Sequence, residues 1–317
     1  LLRKDLELLV EQLAGLRTWR ERTSADDRAG LSAQDVYALQ ALPSREGSGE
    51  HLLVGSFGGG IDEIDVAQGT VTHAPLPASD EIDARLSGTT DLMRTRAGVL
   101  WATTNEGVFR WDRRSGRFHP YLADEEAAAS GLPGYSFALL EDRAGRIWVG
   151  SAGTGLYLYR PERNGFVNFR PVAGKRDSLP DDFVTVLLED RRGRLWVGTR
   201  SGGIGVCRLA QELRCETIAA GRGPTQVSHD HITSLLEAPN GSIWAGSAGG
   251  GLNRLNLDAD GRVAGVERWT RDQGLVDDDV MALVYAPDGA LWLSTHGGLS
   301  RLDAQTGRLA NLTTADG

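Results

Sequence analysis

The chain has 317 residues, a formal net charge of -9 at pH 7 and a pI near 5.2, so it offers no sequence-independent attraction to nucleic acid phosphates. Its basic residues are two lysines, Lys4 and Lys175, and otherwise arginines scattered among acids. No apolar run approaches the roughly 20 residues of a membrane helix, and the chain is not itself membrane-embedded by this reading. Taken in order, the first 30 residues admit two readings. Leu2, Leu6, Leu9, Leu13 and Leu16 fall at coiled-coil spacing and predict a helix over residues 1–20. Yet LLRKD resembles LSRLD at 299–303 and GLRTWRER resembles GVERWTRDQ at 265–273, which instead predicts the third and fourth strands of a partial repeat.

From residue 31 to 313 the chain repeats. Trp101, Trp148, Trp196, Trp244 and Trp292 are separated by 47, 48, 48 and 48 residues, and Leu53 lies 48 residues before Trp101 in the same local pattern. A fixed period of this size marks a repeat architecture. One unit shows the physics. Val184–Leu188 is β-branched and apolar and predicts a strand buried on both faces. The DRRG at 190–193 supplies a tight turn, LWVGT at 195–199 a second strand, RSGG at 200–203 a second turn, and Ile204–Leu209 a third strand. A looser fourth strand is expected near 214–218. Four short antiparallel strands per repeat match one blade of a β-propeller. The fold expected is therefore all-β, a propeller of four-stranded antiparallel blades, six evident and seven in the intact domain, with 1–317 forming a single domain. The first repeat carries an insertion, PSREGSGEH, expected as an extended outer hairpin.

The segments FALLEDRAGRIWVGSAGTGLYLY, VTVLLEDRRGRLWVGTRSGGIGVC and ITSLLEAPNGSIWAGSAGGGLNRL resemble the two-component regulator propeller repeat. The resemblance implies a seven-bladed periplasmic sensor, the input domain of a membrane-spanning histidine kinase, hybrid regulator or diguanylate cyclase. Its partners would be a small molecule or oligosaccharide and an output signalling domain of the same protein, with a homodimer as one route for relay.

Positions that vary while their surroundings repeat are the candidate site. The turn between the second and third strands carries Phe57, Asn105, Ala152, Arg200, Ala248 and His296, and loops entering the first strands add Tyr135, Lys175, Arg176, Phe183, His229, His231 and Asp277. Apolar, amide, cationic and imidazole groups at one blade end make the mixture expected of a small-ligand pocket, with a solvated rim as the alternative. Ligand binding is therefore assigned to Phe57, Asn105, Tyr135, Arg200, His229, His231 and His296. The pair of histidines in His229-Asp230-His231 could share a side, but without a further clear ligand they do not make a metal site. No nucleophile–base constellation emerges from spacing, so no catalytic residue or cofactor is assigned. Asp182, Asp230 and Asp278 hold one repeat position and are expected to cap loop N–H groups. Cys207 and Cys215 fall on neighbouring strands, where a disulfide and two buried thiols fit equally.

Overall fold

The computed structural model describes residues 31–32, 35–42, 51–66, 68–73, 88–112, 114, 117–121, 134–163 and 165–313. Both readings of residues 1–30, and the insertion at 43–51 apart from His51, which opens a strand, lie outside them. Among the described residues the fold is an all-β propeller of six four-stranded antiparallel blades, each running in sequence order. The chain falls into two compact units, divided between residues 168 and 169.

In the first unit, blade 1 comprises β1 (Asp35–Leu42), β2 (His51–Phe57), β3 (Gly60–Asp65) and β4 (Thr70–His73). Blade 2 comprises β5 (Thr89–Arg94), β6 (Leu100–Thr104), β7 (Gly107–Asp112) and β8 (Arg117–Pro120). Blade 3 comprises β9 (Ser136–Glu141), β10 (Ile147–Ser151), β11 (Leu156–Arg160) and β12 (Gly165–Phe169). In the second unit, blade 4 holds β13 (Val184–Glu189), β14 (Leu195–Thr199), β15 (Ile204–Leu209) and β16 (Leu213–Ile218). Blade 5 holds β17 (Ile232–Glu237), β18 (Ile243–Ser247), β19 (Gly251–Leu257) and β20 (Val263–Trp269). Blade 6 holds β21 (Val280–Tyr285), β22 (Leu291–Thr295), β23 (Gly298–Leu302) and β24 (Leu309–Leu312).

At three junctions the repeated tryptophan packs one blade against the next. Trp196 packs with Ile232, Ile243 and Ala245 of blade 5, and Trp244 with Val280, Leu291 and Leu293 of blade 6. Trp101 does the same with Leu139, Ile147 and Val149 of blade 3. In two repeats a buried aspartate organises the turn beneath the indole. Asp190 accepts from Trp196 Nε1 at 2.8 Å and Arg194 Nε at 2.7 Å, and Arg194 lies over the ring at 5.2 Å. Asp142, Arg146 and Trp148 repeat this arrangement, with Trp148 Nε1 donating to Asp142 at 2.9 Å.

Each first strand carries a bulge, so one residue near its start, the third in β1 and the second in the other five, turns out of the ladder. Thr90 and Thr185 at that position donate to the Ser136 and Ile232 carbonyls of the following blade at 2.5 Å, and Thr233 donates likewise to Val280. This corrects one expectation. In β13 only Val184 is buried, and Thr185 to Glu189 are half-buried, because β13 is an edge strand and its bulge diverts side chains. The two cysteines sit directly opposite on β15 and β16 and are joined in a disulfide.

Asp91, which follows the bulge of β5, accepts from Leu92 N at 2.8 Å and from Leu139 N of the next blade at 2.7 Å. Burial outweighs these bonds and pushes its carboxyl up to about 7. The folded chain thus holds this proton more tightly than the unfolded chain, so the stability Asp91 contributes is full below its ordinary value of 3.8 and falls as pH rises toward 7. The destabilisation caused by Asp91→Ala should therefore shrink as pH is raised from 4 to 7.5 in a thermal-unfolding series. A penalty that grows over that range would contradict the assignment.

Candidate functional site

One backbone bond, repeated in four blades, brings the variable positions together. The first residue of the second turn donates its N–H to the carbonyl just ahead of the first strand. The pairs are Asn105 to Gly88 at 3.1 Å, Ala152 to Tyr135 at 2.7 Å, Arg200 to Phe183 at 3.0 Å and Ala248 to His231 at 3.0 Å. Turn and incoming loop are therefore neighbours by construction of the repeat. Glycine closes the arrangement. Gly251, at φ 73°, donates to the Asp278 carbonyl of the next blade at 2.9 Å, and a Cβ there would overlap the Trp269 carbonyl oxygen.

In the second unit the side chains form a row across blades 4, 5 and 6. Arg200 lies over the Phe183 ring at 4.9 Å. His231 sits in the fields of Arg200, His229 and Asp279, and its pKa is lowered by burial first, then by the positive charge of Arg200 and by His229, with Asp279 opposing. Asp279 in turn meets His296 Nδ1 at 3.4 Å. The neighbouring carboxylates are occupied with loop geometry. Asp181 accepts from Phe183 N and Ser201 N, and Asp277 from Asp279 N at 2.8 Å. His229 replaces that aspartate in blade 5, and its Nδ1 accepts the His231 N–H at 3.0 Å. This bond assigns the tautomer of a neutral His229 with the proton on Nε2. Asp230 and Asp278 cap Ala220 N and Arg271 N at 2.7 Å as the repeat position suggests, whereas Asp182 instead accepts from the Arg170 side chain.

In the first unit the corresponding positions carry aromatics and an amide. Tyr37, Phe57 and Tyr135 are 59%, 44% and 40% exposed. Tyr37 and Phe57 have ring centroids 6.2 Å apart, and Tyr135 stacks on Phe137 at 4.6 Å. Burial first and the nearby Tyr37 second raise the Tyr135 pKa. Asn105 Oδ1 is buried with no hydrogen-bond partner among the described residues.

The sequence-derived set thus divides: Phe57, Asn105 and Tyr135 belong to the first unit, and Arg200, His229, His231 and His296 to the second. Lys175 does not join, because its Nζ pairs with Glu212 in the turn beyond β15, at the far end of the blade. Asp279 and Tyr37 were not among the sequence candidates. Among the described residues no three His, Cys, Asp or Glu side chains converge as metal ligands would.

At the opposite end of blades 4 and 5 lies a cavity of about 280 Å³ lined by Asp190, Arg191, Arg194, Glu237 and Ser242. Its arginines already serve the protein. Arg191 binds Glu237 at 2.8 Å and the Ala238 and Pro239 carbonyls, and Arg194 binds Asp190 and the Gly261 carbonyl. Arg96 makes the same latch to blade 3 in the first unit. These are blade-to-blade fastenings.

The fold is a β-propeller whose scaffold repeats and whose side chains vary in the loops at one end of its blades. The family model described as two component regulator propeller matches residues 130–153 and 178–201, so these two stretches are similar to that repeat. No curated protein matches the chain. Among solved structures, virginiamycin B lyase from Staphylococcus aureus is similar with a TM-score of 0.63 at 13% identity, covering 89% of this chain and 86% of that one. PorZ, a surface component of the type-IX secretion system of Porphyromonas gingivalis, gives 0.61 at 17% identity over 88% of this chain and 46% of that one. The extracellular domain of a hybrid two component system from B. thetaiotaomicron gives 0.49 at 14% identity, and this chain spans 51% of its length. At these identities the likeness is one of fold.

Proposed function

We propose that this chain is the extracytoplasmic ligand-binding propeller of a bacterial signal-transduction protein, periplasmic in location, non-catalytic, and coupled to an output module outside these residues. The observation that carries the reading is the row Arg200, His231, Asp279 and His296, placed where the repeat varies, with Arg200 and His231 set by the repeated backbone bond and Asp279 facing His296. Two facts support it. The matched repeats are those of two-component regulators, and the Cys207–Cys215 disulfide suits an oxidising compartment. Signalling would follow if the ligand binds one arrangement of the intact protein, or of a homodimer, better than another, since a ligand shifts such an equilibrium only by its differential affinity.

In cells making the intact protein, truncating both Arg200 and His296 to Ala should abolish the response across a panel of candidate ligands. An unchanged response removes those residues from the site. A second reading, a propeller lyase or hydrolase, draws on one observation: a neutral-leaning imidazole, His231, beside a guanidinium, Arg200, could serve as base and charge stabiliser. Conversion of a bound compound to product, lost in His231→Ala, would favour the enzyme over the sensor. A protein-interaction scaffold would show neither response nor turnover.

A further inference from the structure

Resting on the sensor reading, we propose that the row on blades 4 to 6 recognises a small organic monoanion through its carboxylate, with Arg200 as the anchoring cation. Three observations lead there. The Arg200 guanidinium is exposed, is held over the Phe183 ring, and makes no ion pair with any described carboxylate. The neighbouring carboxylates are turned to other partners: Asp181 and Asp277 accept loop N–H groups, and Asp279 faces His296. Stacking on an aromatic ring restricts the guanidinium plane and leaves its edge for a ligand, and a guanidinium edge matches a carboxylate with two parallel N–H donors.

Charge selects the class further. Arg200 is the cation of the row, and in the unliganded site burial first and the Arg200 charge second hold His231 toward its neutral form, with the Asp279 carboxylate close by. A dianion such as phosphate would bring a second negative charge toward Asp279 and a chain of net charge -9. The His229 Nε2–H, left free by the Nδ1 bond to His231 N, supplies a neutral donor for a hydroxyl or a carboxylate oxygen of the ligand.

The arrangement carries a proton signature. His231 faces Arg200 from the turn of blade 4, His229 from its own loop and Asp279 from the loop of blade 6. A bound carboxylate beside Arg200 offsets the field that disfavours imidazolium, so ligand binding raises the His231 pKa and takes up a proton. Binding should therefore tighten as pH falls toward 6, the reverse of what titration of the carboxylate itself would give.

The experiment is isothermal titration of the 317-residue chain with D-galacturonate and lactate as monocarboxylates, D-galactose as the neutral counterpart and inorganic phosphate as the dianion, compared with the carboxylates at pH 8 where it carries two charges. Each is titrated at pH 6 and 8 in two buffers of different ionisation enthalpy. The expected result is binding of at least one monocarboxylate with proton uptake, weakened about tenfold or more in Arg200→Met and partly restored in Arg200→Lys, as loss of a charged hydrogen bond predicts. Thermal unfolding of the variants shows whether they fold. Binding of galactose alone, tighter binding of phosphate than of either carboxylate, monocarboxylate binding indifferent to Arg200→Met, or no binding of any probe would each overturn the inference. Galactose binding that is lost on His296→Ala would overturn it while leaving the sensor reading standing.

Discussion

Replacing Asp190 by alanine should destabilise the chain by about 3–5 kcal/mol, the cost of leaving a buried partner charge uncompensated. Asp190 and Arg194 are 1% and 5% exposed, and the carboxylate serves Arg194 Nε, Arg194 Nη2 and Trp196 Nε1 together with the Arg192 and Arg194 N–H groups. Alanine strands all of them beneath the ring that joins blade 4 to blade 5. Against a typical total stability of about 5–15 kcal/mol, that loss approaches unfolding. The exposed pair Asp288–Arg301, at 2.6 Å, is the comparator, and Asp288→Ala should cost less than about 1 kcal/mol. Urea unfolding of the two variants measures the difference, and equal effects would show that the Asp190 network holds nothing together. The Asp190 contribution also has a pH sign. Burial alone would raise its pKa, but the bonds from Trp196 and Arg194 and the arginine charge lower it below 3.8. Its stabilisation is present above that value and is lost as pH falls through the lower folded value.

The second large effect concerns the same repeat residue in two settings. Trp244→Ala should cost about 3–5 kcal/mol, as deletion of a fully buried aromatic does. Trp244 is 0% exposed, packs against Trp269 at 5.2 Å and donates to the Tyr285 hydroxyl at 2.6 Å. Trp292 occupies the equivalent position of blade 6 but is only half-buried. Its replacement by alanine should cost distinctly less, because less apolar area returns to water. Identical losses for the two variants would mean that the role of the tryptophan lies within its own sheet and not between blades.

The repeat was legible because it is written in a rigid period. The tryptophan spacing located the second strand of five blades, with Leu53 marking that of blade 1, and Ile204–Leu209 is β15 residue for residue. Arg200, His231 and His296 were visible as departures from a pattern. Relations between blades were not visible. Asp142 and Asp190 share the spacing Asp-x-x-x-Arg-x-Trp, a signal present in the chain, yet only the packed structure shows that the carboxylate bonds the indole. Asp279 escaped notice although it holds the same position as Phe183 and His231; an acid beside Asp277 and Asp278 reads as one more loop carboxylate until His296 is placed against it. Spacing left the state of the two cysteines open, since register decides it: Cys207 stands directly opposite Cys215. The burial of β13 was overestimated because the bulge that diverts Thr185 leaves no compositional mark.

The central claim is that one blade end binds a ligand through variable residues on an invariant scaffold. A thermal-shift screen of the purified chain against sugars, oligosaccharides, amino acids, small carboxylates and divalent metals tests it most directly, because a ligand that binds only the folded state stabilises it by RT ln(1 + [L]/Kd). The account predicts a specific stabiliser whose shift is lost in Arg200→Ala and His296→Ala while the unliganded melting temperature of both variants stays near that of the parent chain. A stabiliser whose shift survives both substitutions, or a uniformly flat screen, would contradict it.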